Sequence, residues 1–196
     1  MPIFADYHRT VIGYHGTRRE KALAIVSQKD DFSPSRNNYD WLGNGIYFWE
    51  YAPQQAWAWA RQRYGTEPIA VVASMIRLGN CLDLLDPRNS HSLVRRHDEL
   101  MAERRAGGLE PLKNARAKKY LDCEVLEYAY RVVERETGER IDTCRGVYVP
   151  GTSEGQRRLW ANSWLCHNTH VQLCVRNSRC ILGTWLVKPE DVEVVK

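Results

Sequence analysis

Apolar positions along this chain follow two alternating periods. Val11 to Tyr14 forms a short strand-like run, Gly16-Thr17 a turn, and Arg18 to Gln28 a helix with Ala22, Ile25 and Val26 on one face and Thr17 as its cap. Phe32 to Asp40 is polar, and Pro34 with its Ser and Asn neighbours favours a loop. Gly45 to Trp49 is rich in strand formers. Pro53 then starts a helix over Gln54 to Tyr64, with Ala56, Trp59 and Ala60 available for packing. Ile69 to Ile76 is a continuous apolar run, as in a buried strand, and Gly79 to Asp86 continues it through a turn.

From Ser90 to about Thr137 the period becomes helical. One pattern runs through Leu93, His97, Leu100 and Met101, and a second follows the Gly107-Gly108 break through Tyr120, Leu121, Val125, Leu126, Ala129 and Val133. These helices form an insertion between strands, because Gly146 to Val149 resumes strand character. The last third supplies a strand pair, His170 to Arg176 and Cys180 to Leu186, joined by Asn177-Ser178. Alternation sends His170, Gln172 and Cys174 to one face and Val171, Leu173 and Val175 to the other. His170 and Gln172 therefore project together, onto a solvent face or a site.

Composition narrows the class. At 196 residues and 43% hydrophobic content the chain has the size of one globular domain that can bury a core. No apolar run is long enough for a membrane span, and Met1 to Asp6 lacks the form of a secretory signal, so the chain reads as cytoplasmic. Six cysteines occur without C-x-x-C spacing and read as reduced core residues. Cys166, His167 and His170 lack a second ligand pair, so no metal is expected. The net charge of +4 permits an acidic partner without demanding one. In the insertion Arg95, Arg96, Arg104, Arg105, Lys113, Arg116, Lys118 and Lys119 outnumber the local acids, which ordinarily marks a solvated helix face.

Two stretches carry the chemistry: Tyr14-His15-Gly16-Thr17, and Leu42-Gly43-Asn44-Gly45-Ile46-Tyr47-Phe48. Each delivers a polar ring beside a glycine that would let a flat ligand approach the backbone. With the later strand carrying Gln172, they resemble the His-Tyr-Glu signature of PARP-like, diphtheria-toxin-type ADP-ribosyltransferases. The likeness extends from about residue 11 to 187, and Gln172 stands where the family has its glutamate. The combination His15, Tyr47, Gln172 also resembles a bacterial branch that includes toxins of anti-phage toxin–antitoxin systems, one of which modifies messenger RNA.

The resemblance implies an α+β fold over 1–196, a single domain built on a split, mixed and largely antiparallel sheet with flanking helices and an insertion at about 90–140. It implies NAD+ as the ADP-ribose donor, with His15 on the adenosine ribose, Gly16 holding the nicotinamide carboxamide through its backbone, and Tyr47 stacked on the nicotinamide. Thr17 and Gly45 adjoin these residues, and Ser35 and Asn37 lie where the family has its donor-site loop. The second aromatic over nicotinamide falls by counting on Ala58, so Trp57 or Trp59 would either substitute or belong to the core. A Gln at 172 hydrogen-bonds but supplies neither charge nor base, which favours mono-ADP-ribosylation. His170 and Glu154 are the candidates to take the acceptor's proton. Arg145, Arg157, Arg158, Arg176 and Arg179, with Trp160 and Trp164, favour RNA as acceptor, with protein as the alternative. A toxin of this kind would need a neutralising antitoxin. With Gln in place of Glu, a non-catalytic NAD+- or ADP-ribose-binding module is the competing expectation.

Overall fold

A computed structural model describes residues 5–37, 39–115, 118–149 and 158–192. The architecture is α+β, with six strands in one mixed sheet and four α-helices among the described residues. The strands are β1 (Ala5–Arg18), β2 (Ile46–Glu50), β3 (Ile69–Asp83), β4 (Thr143–Tyr148), β5 (His170–Val175) and β6 (Ile181–Leu186). The helices are α1 (Arg19–Val26), α2 (Pro53–Tyr64), α3 (Pro87–Ala106) and α4 (Tyr120–Thr137). None of them is long and apolar enough to cross a membrane.

The sheet order is β1-β2-β5-β4-β3-β6, and β1 also pairs with β3, so five strands close into a ring and β6 lies outside it. All pairings are antiparallel except β3 with β4. The ring is uneven. The β1–β3 ladder runs from Ala5↔Cys81 to Arg18↔Ile69, whereas β1 meets β2 only at Gly13↔Glu50 and Tyr14↔Trp49. Beyond Tyr14 the two strands part.

Apolar side chains of the ring meet in one buried cluster that includes Val11, Phe48, Ile76, Leu78, Leu173 and Val175. Fully burying a side chain such as Phe48 contributes roughly 1.5–3 kcal/mol. The helices seal the outside. Ala56 of α2 packs with Trp49 and Val71, Ala22 of α1 with Ala70 and Val72, and Leu126, Tyr130 and Val133 of α4 with Leu42, Cys144 and Cys174. Leu100 of α3 reaches the sheet only through α4.

At one end of the ring Arg145 is buried between two carboxylates. Its guanidinium makes a two-pronged contact with Glu50 at 2.5 and 2.8 Å and reaches Asp83 at 3.2 Å. A half-buried cation, Arg176, stacks on Tyr130 at 3.8 Å, pairs with Glu127 at 2.7 Å and bonds the Asn44 carbonyl. It fastens α4 to the loop that precedes β2.

Several local expectations change. Gly16 and Thr17 lie in β1, paired with Val71 and Ala70, because the long β3 ladder outweighs the local turn signal; Thr17 does not cap α1. β3 passes through the expected turn at Gly79, which absorbs a φ of 60° while the register with β1 shifts between Tyr7 and Thr10. α3 begins at Pro87, capped by the Asp86 carboxylate accepting from Arg88 N–H, and β4 begins at Thr143. β5 and β6 do not pair with each other. The 3-10 turn Ser178–Cys180 carries the chain from β5, between β2 and β4, to the far side of β3.

Candidate functional site

Where β1 leaves β2 a cleft of about 960 Å³ opens, within the roughly 300–1,000 Å³ range of small-molecule sites. His15, Thr17, Ser35, Asn37 and Tyr47 line it, as do His170 and Gln172 from β5. Residues far apart in the chain thus share one wall.

His15 sits just past the last β1–β2 pair. Its Nδ1 lies 2.8 Å from the Tyr47 carbonyl oxygen, which can only accept, so Nδ1 carries the proton and Nε2 keeps its lone pair. Phe32 and Phe48 pack around the ring at 5.4 and 5.7 Å. Burial pushes the pKa of His15 down, against the opposing carbonyl bond, and Lys21 adds to the fall. Tyr47 donates its hydroxyl to the Gly43 carbonyl at 2.8 Å and accepts from the Leu42 N–H at 2.9 Å. Burial keeps that phenol protonated. The hydroxyl holds the loop, and only the ring is left for a ligand.

Gln172 belongs to a hydrogen-bond chain of one polarity. The Trp41 indole N–H donates to Gln172 Oε1 at 2.7 Å, Gln172 Nε2 donates to His170 Nε2 at 3.0 Å, and His170 Nδ1–H donates to the Asn168 carbonyl at 2.6 Å. An indole can only donate and a carbonyl can only accept, so the two ends fix both the amide orientation and the imidazole tautomer. His170 is held neutral with an acceptor at Nε2. A proton there would face the amide N–H, and burial lowers its pKa in the same direction. Tyr148 and Trp49 flank His170 at 5.3 and 6.5 Å, and Trp41 meets Tyr148 at 5.8 Å.

Acidification should therefore weaken the fold. His15 and His170 both have folded-state pKa values below the ordinary 6.5, so the unfolded chain takes up their protons first. The stabilisation is complete above about pH 6.5 and is lost as pH falls through the folded values. The urea midpoint should hold level above that pH and fall below it, and His170→Asn should flatten the decline. A wild-type midpoint that stays level from about pH 7.5 to about 5.5 would contradict this.

Not every expected residue faces the cleft. Gly16 and Gly45 do not line it, and each glycine is required by the protein's own packing. A Cβ at Gly16 would stand 2.1 Å from the Ala56 carbonyl oxygen of α2, and one at Gly45 would stand 2.5 Å from Cys174 Sγ. Trp57 is also off the cleft, with the Arg61 guanidinium over its ring at 5.4 Å; Ala58 and Trp59 line the wall instead. Glu154, Arg116 and Arg157 lie outside the described residues.

Trp41 and Asp40 are among the lining residues that the sequence did not mark out. Trp41 is separated by 131 positions from the Gln172 it orients, and no local pattern encodes that partnership. Asp40 ends the 33–40 loop, buried at 2% exposure, and accepts from the Asn37 N–H at 2.5 Å and from the Ser35 hydroxyl. Ser35 in turn is bridged to Gly45 in both directions. Cations stand along the cleft too. Arg18 is engaged by Glu67 and Lys21 by Asp30, while Arg63 makes no ion pair with a described residue.

The arrangement offers a neutral imidazole acceptor, an oriented amide, aromatic faces for a flat ring and cations for phosphate. Searches against protein-family models, curated proteins and solved structures return no match to this chain.

Proposed function

We propose that this chain is a mono-ADP-ribosyltransferase that moves ADP-ribose from NAD+ to a macromolecule, with RNA as the favoured acceptor. The observation that carries the reading is that His15, Tyr47 and Gln172, from the three segments resembling the His-Tyr-Glu signature, line one cleft. The split between β1 and β2 supports the family's sheet as the fold, and Ser35 and Asn37 lining the same cleft support a donor-site loop.

The chemistry fits the side chains. His15 Nε2 can accept from a ribose hydroxyl, Tyr47 and Trp59 offer aromatic faces to nicotinamide, and Arg63 offers charge to the diphosphate. Gln172 retains one amide hydrogen and one lone pair for the nicotinamide ribose. In transfer, the C1′–N bond breaks with its electron pair left on nicotinamide, which departs neutral. The acceptor's lone pair forms the new bond to C1′ and its proton passes to a base, a part that His170 Nε2 can take only once the Gln172 amide N–H has left it for the nicotinamide ribose.

RNA is favoured because Trp164 and Trp160 are 93% and 62% exposed, which stacking on bases would explain, and Arg158 lies over the Trp164 ring at 5.9 Å. No acidic residue occurs between Gly155 and Pro189. Internal pairing consumes part of the basic excess, since Arg96, Arg145 and Arg176 are held by carboxylates. The amide at 172 favours a second reading, a non-catalytic NAD+-binding module. As an active transferase the protein would act in the cytoplasm as a bacterial toxin or defence effector, restrained by an antitoxin protein.

Purified protein incubated with cell extract and NAD+ labelled in its adenylate part tests both readings. Transfer to material destroyed by RNase is expected. Label removed only by protease would make the acceptor protein, and NAD+ binding without any transfer would leave the binding module.

A further inference from the structure

Gln172 leaves its wall without a carboxylate, yet the cleft holds one. Asp40 is the acidic residue among the described residues lining it, and it immediately precedes Trp41, the residue that orients Gln172. The loop is built around its side chain. Asn37 N–H and the Ser35 hydroxyl donate to it, while the Asn37 amide donates to Ser35 Oγ at 2.6 Å, so the Ser35 proton is directed at the carboxylate.

What this carboxylate lacks is a cation. Arg145, buried in β4, and Arg176, half-buried just past β5, are held by Glu50, Asp83 and Glu127. Arg18 and Lys21, which share the cleft, are held by Glu67 and Asp30. Among the described residues Asp40 has hydrogen bonds but no ion pair. A buried carboxylate is ordinarily paired, protonated or completed by a ligand. Its field extends to the phenol of Tyr47, the residue whose ring lines the same cleft.

We propose that Asp40 supplies the negative charge that opposes the cationic end of the bound donor, the pyridinium ring before cleavage and the ribosyl cation as the C1′–N bond breaks. It supplies from the same cleft the charge that residue 172 lacks. The proposal rests on the NAD+ reading of the cleft and assigns Asp40 an electrostatic part, with no proton transfer. Oxidised and reduced dinucleotides then separate by charge alone, because the dihydronicotinamide of NADH is neutral.

Calorimetric titration of the purified chain and its Asp40→Asn variant with NAD+ and with NADH provides the first test. Asn keeps an oxygen to accept the Asn37 N–H, so the loop retains its main tie. The wild-type chain should prefer NAD+ by about tenfold, and Asp40→Asn should bind the two equally. Equal wild-type affinities, or a preference that survives in Asp40→Asn, would overturn the proposal.

The second test is kinetic. Asp40→Asn should lower kcat for nicotinamide release by about 100-fold and raise KM for NAD+ by about tenfold, in step with the lost ground-state attraction, and Gln172→Glu added to it should restore much of the rate. A merely structural Asp40 would not be rescued from position 172, so failure of rescue in a folded double variant overturns the proposal. The transferase reading fails separately. NAD+ preference that depends on Asp40, without any transfer, removes the reaction and leaves the charge assignment standing, whereas transfer with unchanged Asp40→Asn kinetics removes the assignment alone.

Discussion

Replacing Arg145 by methionine should cost about 3–5 kcal/mol of folding stability at neutral pH, because it strands two buried carboxylates. Glu50 and Asp83 both point into the closed end of the ring and share this one guanidinium, at 2.5 and 3.2 Å. Without it both carboxylates sit in a desolvated site with their cation gone. Urea denaturation at pH 7 checks it. Adding Glu50→Leu and Asp83→Leu should recover most of the loss. A single variant as stable as wild type at pH 7 would mean the network is solvated.

The second large effect falls on transfer itself. Gln172→Ala removes both the acceptor of the Trp41 indole and the donor to His170, and should reduce ADP-ribose transfer by about 100-fold or more while the fold persists. Gln172→Glu separates charge from hydrogen bonding. One carboxylate oxygen would still accept from Trp41, but the other would face the His170 lone pair, so His170 would have to take a proton. Its pKa should move from below the ordinary 6.5 to above it, which an NMR titration of the ring measures directly. A His170 that titrates unchanged in Gln172→Glu would show that the hydrogen-bond chain does not persist in solution.

Local pattern was enough for most elements, because the core of each is written in its own side chains. The 3.6-residue period of α4 and the alternation of β5 reappear as buried Val125, Leu126, Ala129 and Val133, and as Leu173 and Val175 set against Gln172 and His170. Pairing was not legible. β5 and β6 read as neighbours because they adjoin in sequence, yet the register of β5 is set by β2 and β4, more than twenty residues away. Glycines misled for a related reason. Gly16 and Gly45 look the same whether a ligand or another part of the chain approaches them, and here α2 and Cys174 approach. Charges misled too, since nothing local distinguishes Arg145 and Arg176, enclosed by distant carboxylates, from arginines left to meet a partner.

The position of β5 also has a consequence for the order of synthesis. β2 and β4 each present an open edge until the segment His170–Val175 arrives to join them, and β2 is otherwise held to the sheet by only two residue pairs with β1. The strand that completes the ring is also the one that brings Gln172 and His170 to the cleft. A chain still emerging from the ribosome short of residue 170 has His15 and Tyr47 but no assembled wall, so fold and cleft are completed by the same late event.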